Sequence, residues 1–146
     1  MSGYYWAEST VHGPFPTSAV LGGHDSDGNT IYVGRAFVQG DWIPAKIIPG
    51  RKCAYAAYAG KEVPKSTYQV LCEERFEWVS SSDGQVPLDA VVGGKTSSGE
   101  NLYIGRAPYS GSITVGKVHP SHRTCYISYG GKEISMKKYE VLVRRR

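Results

Sequence analysis

Lys46 and Lys117 recur 71 positions apart, and so do the two Gly-Lys-Glu turns that end in Glu62 and Glu133. Either glutamate can accept a hydrogen bond from a ligand hydroxyl or from the backbone of a turn, and the sequence leaves both roles open. The four histidines, His12, His24, His119 and His122, do not recur at that interval. His119 and His122 have no third ligand type nearby in sequence, which argues against zinc and against a general base. Cys53, Cys72 and Cys125 are odd in number, widely spaced and without a CxxC pair, so neither a disulfide framework nor a thiolate metal site is expected; they read as buried, inert thiols. No serine, threonine or cysteine sits in a nucleophile elbow, and Gly22-Gly23 and Gly93-Gly94 lack the strand-to-helix context of a phosphate loop. The expectation is a binding protein rather than an enzyme, with no metal and no cofactor.

The elements that position these residues come in two copies. Thr30-Ile-Tyr-Val-Gly-Arg-Ala-Phe-Val-Gln-Gly-Asp-Trp-Ile-Pro-Ala-Lys46 returns as Asn101-Leu-Tyr-Ile-Gly-Arg-Ala-Pro-Tyr-Ser-Gly-Ser-Ile-Thr-Val-Gly-Lys117, with no gap needed from Gly13 and Gly84 to Leu71 and Leu142. Each copy reads as a β-hairpin, rich in β-branched and aromatic residues, with Gly40 or Gly111 where a tight reversal needs positive φ. Pro44 lacks a donor and predicts an edge or a bulge. The segments after each hairpin, Cys53–Glu62 and Thr124–Glu133, read as strands closing on glycine turns, and Trp6 and Trp78 as core anchors of the opening strands. The repeats occupy residues 1–72 and 73–146. Cys72-Glu-Glu-Arg75 contains no glycine or proline, so it predicts a continuous extended segment carrying the chain from one half into the sheet of the other. The fold class is all-β: two intertwined tandem repeats related by a pseudo-two-fold axis, forming one structural unit.

Composition agrees with that class: 18 glycines and 11 tyrosines accompany only two methionines, and 40% of residues are hydrophobic. The net charge of +4 suggests nucleic acid until it is divided. The second half owes its surplus to Arg144-Arg145-Arg146, read as a solvated tail, and the remaining body is near neutral, so phosphate tracking is not expected. No apolar run is long enough for a membrane span, and the amino terminus lacks signal-peptide character, so a cytoplasmic address is expected by default.

The words Tyr-Val-Gly-Arg-Ala, Gly-Asp-Trp-Ile-Pro-Ala-Lys, Ala-Gly-Lys-Glu and Tyr-Gln-Val-Leu, in order and in tandem, resemble the DM9 repeat family along essentially the whole chain. That family includes a mannose-specific oyster lectin, an all-β dimer, and mosquito proteins responsive to parasites. The resemblance implies a sugar site at Asp25 and Lys46, with Lys117 as the second copy's lysine. Thr96 stands where Asp25 would recur, so an equivalent second site is in doubt, and Lys95 can remodel it. Such chemistry suits a sugar: vicinal hydroxyls donate to a carboxylate and accept from an ammonium. The competing reading is an exposed Asp25–Lys46 salt bridge worth about 0–1 kcal/mol. His24 adjoins the acid, and Trp42 can offer a flat face to a sugar ring or pack against the protein. The resemblance, with this chemistry beside it, implies a mannose-type lectin in innate defence, homodimeric, cytoplasmic or vesicle-associated or released without a signal peptide. The alternative is an interaction scaffold with a decayed sugar site.

Overall fold

The computed structural model describes residues 3–73 and 75–145, so Glu74 of the connecting segment and Arg146 of the basic tail lie outside the described residues. The described residues form fourteen strands and two 3-10 turns. The first seven strands are β1 (Tyr5–Thr10), β2 (Leu21–His24), β3 (Thr30–Val38), β4 (Asp41–Ile48), β5 (Cys53–Tyr58), β6 (Lys61–Pro64) and β7 (Thr67–Cys72). The second seven are β8 (Phe76–Ser82), β9 (Val92–Lys95), β10 (Asn101–Tyr109), β11 (Ser112–His119), β12 (Thr124–Tyr129), β13 (Lys132–Met136) and β14 (Lys138–Arg144). The 3-10 turns, Pro49–Arg51 and Pro120–His122, each start at proline and end on a left-handed residue, Lys52 or Arg123.

Both expected hairpins are present, β3–β4 and β10–β11, in unbroken register. Their turns place Gln39-Gly40 at φ 48° and 90°, and Ser110-Gly111 at φ 50° and 81°, the two-residue geometry whose twist matches that of the strands. Neither hairpin stands alone. The ring β2–β3–β4–β5–β6–β13–β12–β11 closes on β2 as an eight-stranded barrel, and β9 and β10 form a second path from β4 to β11.

Three of these contacts join strands from either side of Cys72: His24 opposite Ile113, Trp42 opposite Lys95, and Lys61 opposite Lys132. The exchange does not run through the Cys72–Arg75 segment, as the sequence had suggested. Glu73 turns to φ 71°, β7 pairs with β1 and β3, and β8 pairs with β14. A left-handed residue interrupts the extension there without needing a glycine.

Pro44 is neither at an edge nor at a bulge. It keeps register with Arg35 while β4 hands over from β9, met at Trp42, to β5, met from Ala45 onward. A residue without an N–H fits that handover, where no partner carbonyl needs a donor. Trp6 and Trp78 are half-buried at the margin of the core rather than inside it, because each covers a guanidinium: Arg35 at 4.1 Å and Arg106 at 4.3 Å. Cys72 and Cys125 are buried as expected, whereas Cys53 is only half-buried. Arg144 is part of β14, opposite Phe76, so the basic tail is partly built into the sheet.

The central core cluster joins Ile31, Val33, Ile48 and Leu71 to Val91, Ile104, Val115 and Leu142, so residues from both sides of Cys72 share one apolar interior. At two crossings the backbones touch so closely that only glycine fits. A Cβ on Gly23 would lie 2.1 Å from the Ile113 carbonyl oxygen, and one on Gly94 would lie 2.1 Å from that of Trp42. Gly94→Ala is therefore expected to cost about 2–3 kcal/mol, read as a fall in denaturation midpoint at constant m value. Residues 1–72 expressed alone should show no cooperative unfolding by circular dichroism, because β2, β4 and β6 lose their outside partners; a soluble, cooperatively melting fragment would contradict this.

Candidate ligand-binding site

Lys46 belongs to a strand covered on both sides and is only 2% exposed. A bare ammonium there would be prohibitively costly, and the structure surrounds it with acceptors. Its Nζ donates to the Ser128 carbonyl at 2.6 Å and pairs with Glu62 Oε2 at 3.0 Å. The rings of Tyr55, its cross-strand neighbour, and Tyr129 lie 5.6 and 5.5 Å from the charge. Glu62 is fixed in turn, since its Oε1 accepts the Gly131 amide at 3.0 Å. Of the two roles left open for Glu62, the backbone turn is present, and the same carboxylate also pairs with a buried cation.

Asp25 follows β2 in a turn whose amide and carbonyl bond to Asn29 and Gly28. It is 6% exposed; one oxygen accepts the Ser26 amide at 2.9 Å and the other meets the Arg51 guanidinium at 2.5 Å. Partial burial opposes the charge of Arg51, but Cys53, Asp25 and Asp27 outweigh it and raise its pKa above the usual value. Tyr55 is likewise raised, first by burial and then by Cys53, so its phenol keeps its proton at neutral pH. Tyr129 reaches across to donate to Ser26 Oγ at 2.9 Å. These residues, with Gly130, line a cavity of about 280 Å³. The Asp25–Lys46 salt bridge considered from sequence does not form; Asp25 pairs with Arg51 and Lys46 with Glu62, and all but Arg51 are largely buried.

Lys117 repeats much of this environment. It is 6% exposed, lies 5.7 and 5.5 Å from the rings of Tyr58 and Tyr126, and pairs with Glu133 Oε2 at 3.1 Å. Glu133 Oε1 accepts the Gly60 amide at 2.8 Å. Thr96 holds its own turn, bonding Ser98 Oγ and the Glu100 amide, each at 3.0 Å. The position matching Arg51 is His122, whose ring stacks on His119 at 3.6 Å while its Nδ1 bonds the Tyr126 hydroxyl at 3.0 Å. His119 in turn meets Glu100 at 3.0 Å, and Glu100 also accepts from Ser121.

Of the residues singled out from sequence, the structure gathers Asp25, Lys46 and Glu62 at one cavity and pairs Lys117 with Glu133 in the other cluster. It leaves Thr96 in its own turn, and His24, Lys95 and Trp42 elsewhere. His24 ends β2 opposite Ile113, and Lys95 is exposed opposite Trp42. Trp42 itself packs edge-on against Phe37 at 5.4 Å with Arg35 over its ring, and it is not among the residues that line the cavity. Sequence reasoning missed Arg51, Tyr55, Ser26 and Tyr129. The tyrosines were accessible to it, since Tyr55 and Tyr126, and Tyr58 and Tyr129, keep the 71-residue interval. Arg51 was not, because His122 stands in its place.

Fold and site together define an all-β barrel protein whose buried, tyrosine-flanked lysine borders a polar cavity. The chain belongs to the DM9 repeat family, whose profile matches residues 25–136. It is 30% identical over 145 residues to Natterin-3 of Thalassophryne nattereri and 29% identical over 136 residues to Natterin-4 of the same organism. Those alignments take in 97% and 90% of this chain but only 36% and 32% of the natterins, so the chain spans about a third of their length. In fold it is similar to the crystal structure of the nematode sperm cell motility protein MFP2B, with a TM-score of 0.71 at 19% identity over 97% of this chain and 46% of that one.

Two outcomes follow from the geometry. Lys46→Met strands the Glu62 carboxylate in a largely buried position and should cost about 3 kcal/mol in chemical denaturation. His119 has its pKa lowered from 6.5 by burial, then by His122 and Lys117, against the opposing pull of Glu100. The unfolded chain therefore binds the proton more tightly than the folded one, and stability should fall as pH drops below 6.5 toward the lowered folded value. Comparing His119→Gln with the parent protein across that window by thermal denaturation isolates this contribution.

Proposed function

We propose that this chain is a carbohydrate-binding protein, a lectin for mannose-type glycans acting in innate defence, with Asp25 and Lys46 clasping neighbouring hydroxyls. The observation that carries the reading is the small cavity in which a carboxylate, a buried ammonium and two tyrosines face one space. Lys46 donates one N–H to Ser128 and pairs by charge with Glu62, which leaves donor capacity for a ligand oxygen. Each Asp25 oxygen already has one partner and keeps lone pairs for ligand O–H groups. Fixed partners hold both groups in place before a ligand arrives, which reduces the ordering cost of binding. The proposal includes no catalytic step, no cofactor and no nucleic acid.

The same reading makes the two halves, 1–72 and 73–146, copies of one unit related by a pseudo-two-fold axis. Its support is the matched surroundings of Lys46 and Lys117. It also makes the protein a homodimer, supported by β1 and β8, each of which pairs on one side only among the described strands. A dimer would multiply weak sugar sites into useful avidity. Among the described residues no helix is long and apolar enough to cross a membrane; the proposed address is the cytoplasm or vesicles, or release without a signal peptide.

A second reading, a protein-interaction or vesicle-associated scaffold, is favoured by the fact that both lysines are engaged by turn glutamates, which a purely structural role would also require. Calorimetry with mannose and mannobiose separates the two. Asp25→Asn keeps the shape but turns one acceptor into a donor, and should weaken binding about tenfold or more. Unchanged affinity in that variant would move the site elsewhere, and no binding by the parent protein would promote the scaffold. Light scattering at tens of micromolar that shows monomer alone would remove the dimer.

A further inference from the structure

Phe37 is 50% exposed and stands edge-on to Trp42, its partner across the β3–β4 hairpin, at 5.4 Å. The 71-residue interval puts Pro108 and Ile113 at the corresponding places, again a cross-strand pair, on β10 and β11. The first half therefore raises an aromatic knob where the second has a proline ring and a branched aliphatic chain. A groove opens there: Pro108 and Ile113 line a cavity of about 740 Å³ together with Met136, Tyr139 and residues 80–82 of β8.

The backbone explains why the space exists. β10 pairs with β14 only at Gly105 and Arg106, whereas β14 follows β8 as far as Lys138 opposite Ser82. Past Arg106 the two strands part, and the short side chains of Pro108 and Ile113 do not refill the gap. β3 likewise leaves β7 after Arg35, but there the two rings stand where the strands part.

The charges beside knob and groove are complementary. Asp41 precedes Trp42 and accepts the Ser97 amide at 2.8 Å, while Lys138 is exposed at the rim of the groove. Neither makes an ion pair among the described residues. The other charge on the rim, Glu140, is already neutralised by Arg106 at 2.8 Å.

We infer that the groove is a docking surface for a second copy of this chain, which seats Phe37 and Trp42 between Pro108, Ile113 and β8 with its Asp41 facing Lys138. Burial of the rings supplies the affinity, since aromatic anchors in a pocket dominate interface energetics. The rim ion pair adds little to it and fixes the orientation. Knob and groove belong to different halves, so the contact joins unlike surfaces of the two copies. It uses neither the residues of the sugar site nor the unpaired edge of β1, and it gives self-association a side-chain basis that the strand edges alone do not.

Sedimentation velocity of the whole chain, from about 1 μM to about 1 mM, spans the affinities expected of so small a contact. The sedimentation coefficient should rise across that series. Phe37→Ser removes the knob and leaves the groove, whereas Ile113→Trp fills the groove and leaves the knob. Each variant alone should shift the association midpoint upward tenfold or more, and an equimolar mixture should recover a complex of one copy of each and nothing larger. Lys138→Glu changes only an exposed side chain; by setting like charge against Asp41 it should also raise the midpoint, without altering the melting transition. Association that neither Phe37→Ser nor Ile113→Trp weakens overturns this inference and leaves a homodimer through the edges of β1 and β8 standing. A parent protein that stays monomeric throughout overturns both, and a mixture of the two variants that stays monomeric overturns the seating of knob in groove.

Discussion

Two buried ion pairs, Lys46–Glu62 and Lys117–Glu133, hold the architecture together through the turns their glutamates secure. Glu62 accepts the Gly131 amide and Glu133 accepts the Gly60 amide. The backbone repeats the exchange, Glu62 N–H to the Gly131 carbonyl and Glu133 N–H to the Gly60 carbonyl, both at 3.0 Å. Each half therefore finishes a turn of the other, at the one point where β6 and β13 meet. A buried ion pair seldom adds stability over an apolar pair of similar volume, but breaking one is costly. Its contribution here is placement: a charged pair that must be satisfied selects the one register in which both turns close.

The sequence made the strand plan legible because the repeat interval carries it. Hairpins, glycine turns and the Gly-Lys-Glu corners appear where the recurring words place them. What it did not show is which strands exchange partners. The crossings depend on Gly23 and Gly94, where backbones approach within a glycine's reach, and a Gly-Gly pair in sequence does not reveal what it touches. The Cys72–Arg75 segment misled for a related reason. The absence of glycine suggested an uninterrupted extension, yet Glu73 adopts the left-handed conformation itself.

At the site, the resemblance led to Asp25 and Lys46, and the repeat led to Glu62 and Glu133. The pairing among them was not accessible, because it is set by three-dimensional closure. Lysine in a strand of alternating pattern ordinarily points outward. Here β4 is buried from Ile43 to Ile48, both faces being covered, so its lysine is enclosed whichever way it points. Arg51 escaped notice because it does not recur, although it is the cation that pairs with Asp25.

That difference between the halves shows how one scaffold can carry two chemistries. In the first, Arg51 and Asp25 form a charged rim beside the lysine; in the second, a stacked histidine pair and a hydrogen-bonded threonine replace them. The constant part, lysine, glutamate and two tyrosines, is the part that the barrel needs in order to close. Most of the variable part sits on the turns after β2 and β9 and on the 3-10 segments, which bury no residue, but His119 ends β11 at the position where Ile48 packs into the core of the first half. The rim can therefore differ between the halves while the buried cage, constrained by the fold, keeps an ammonium enclosed in each.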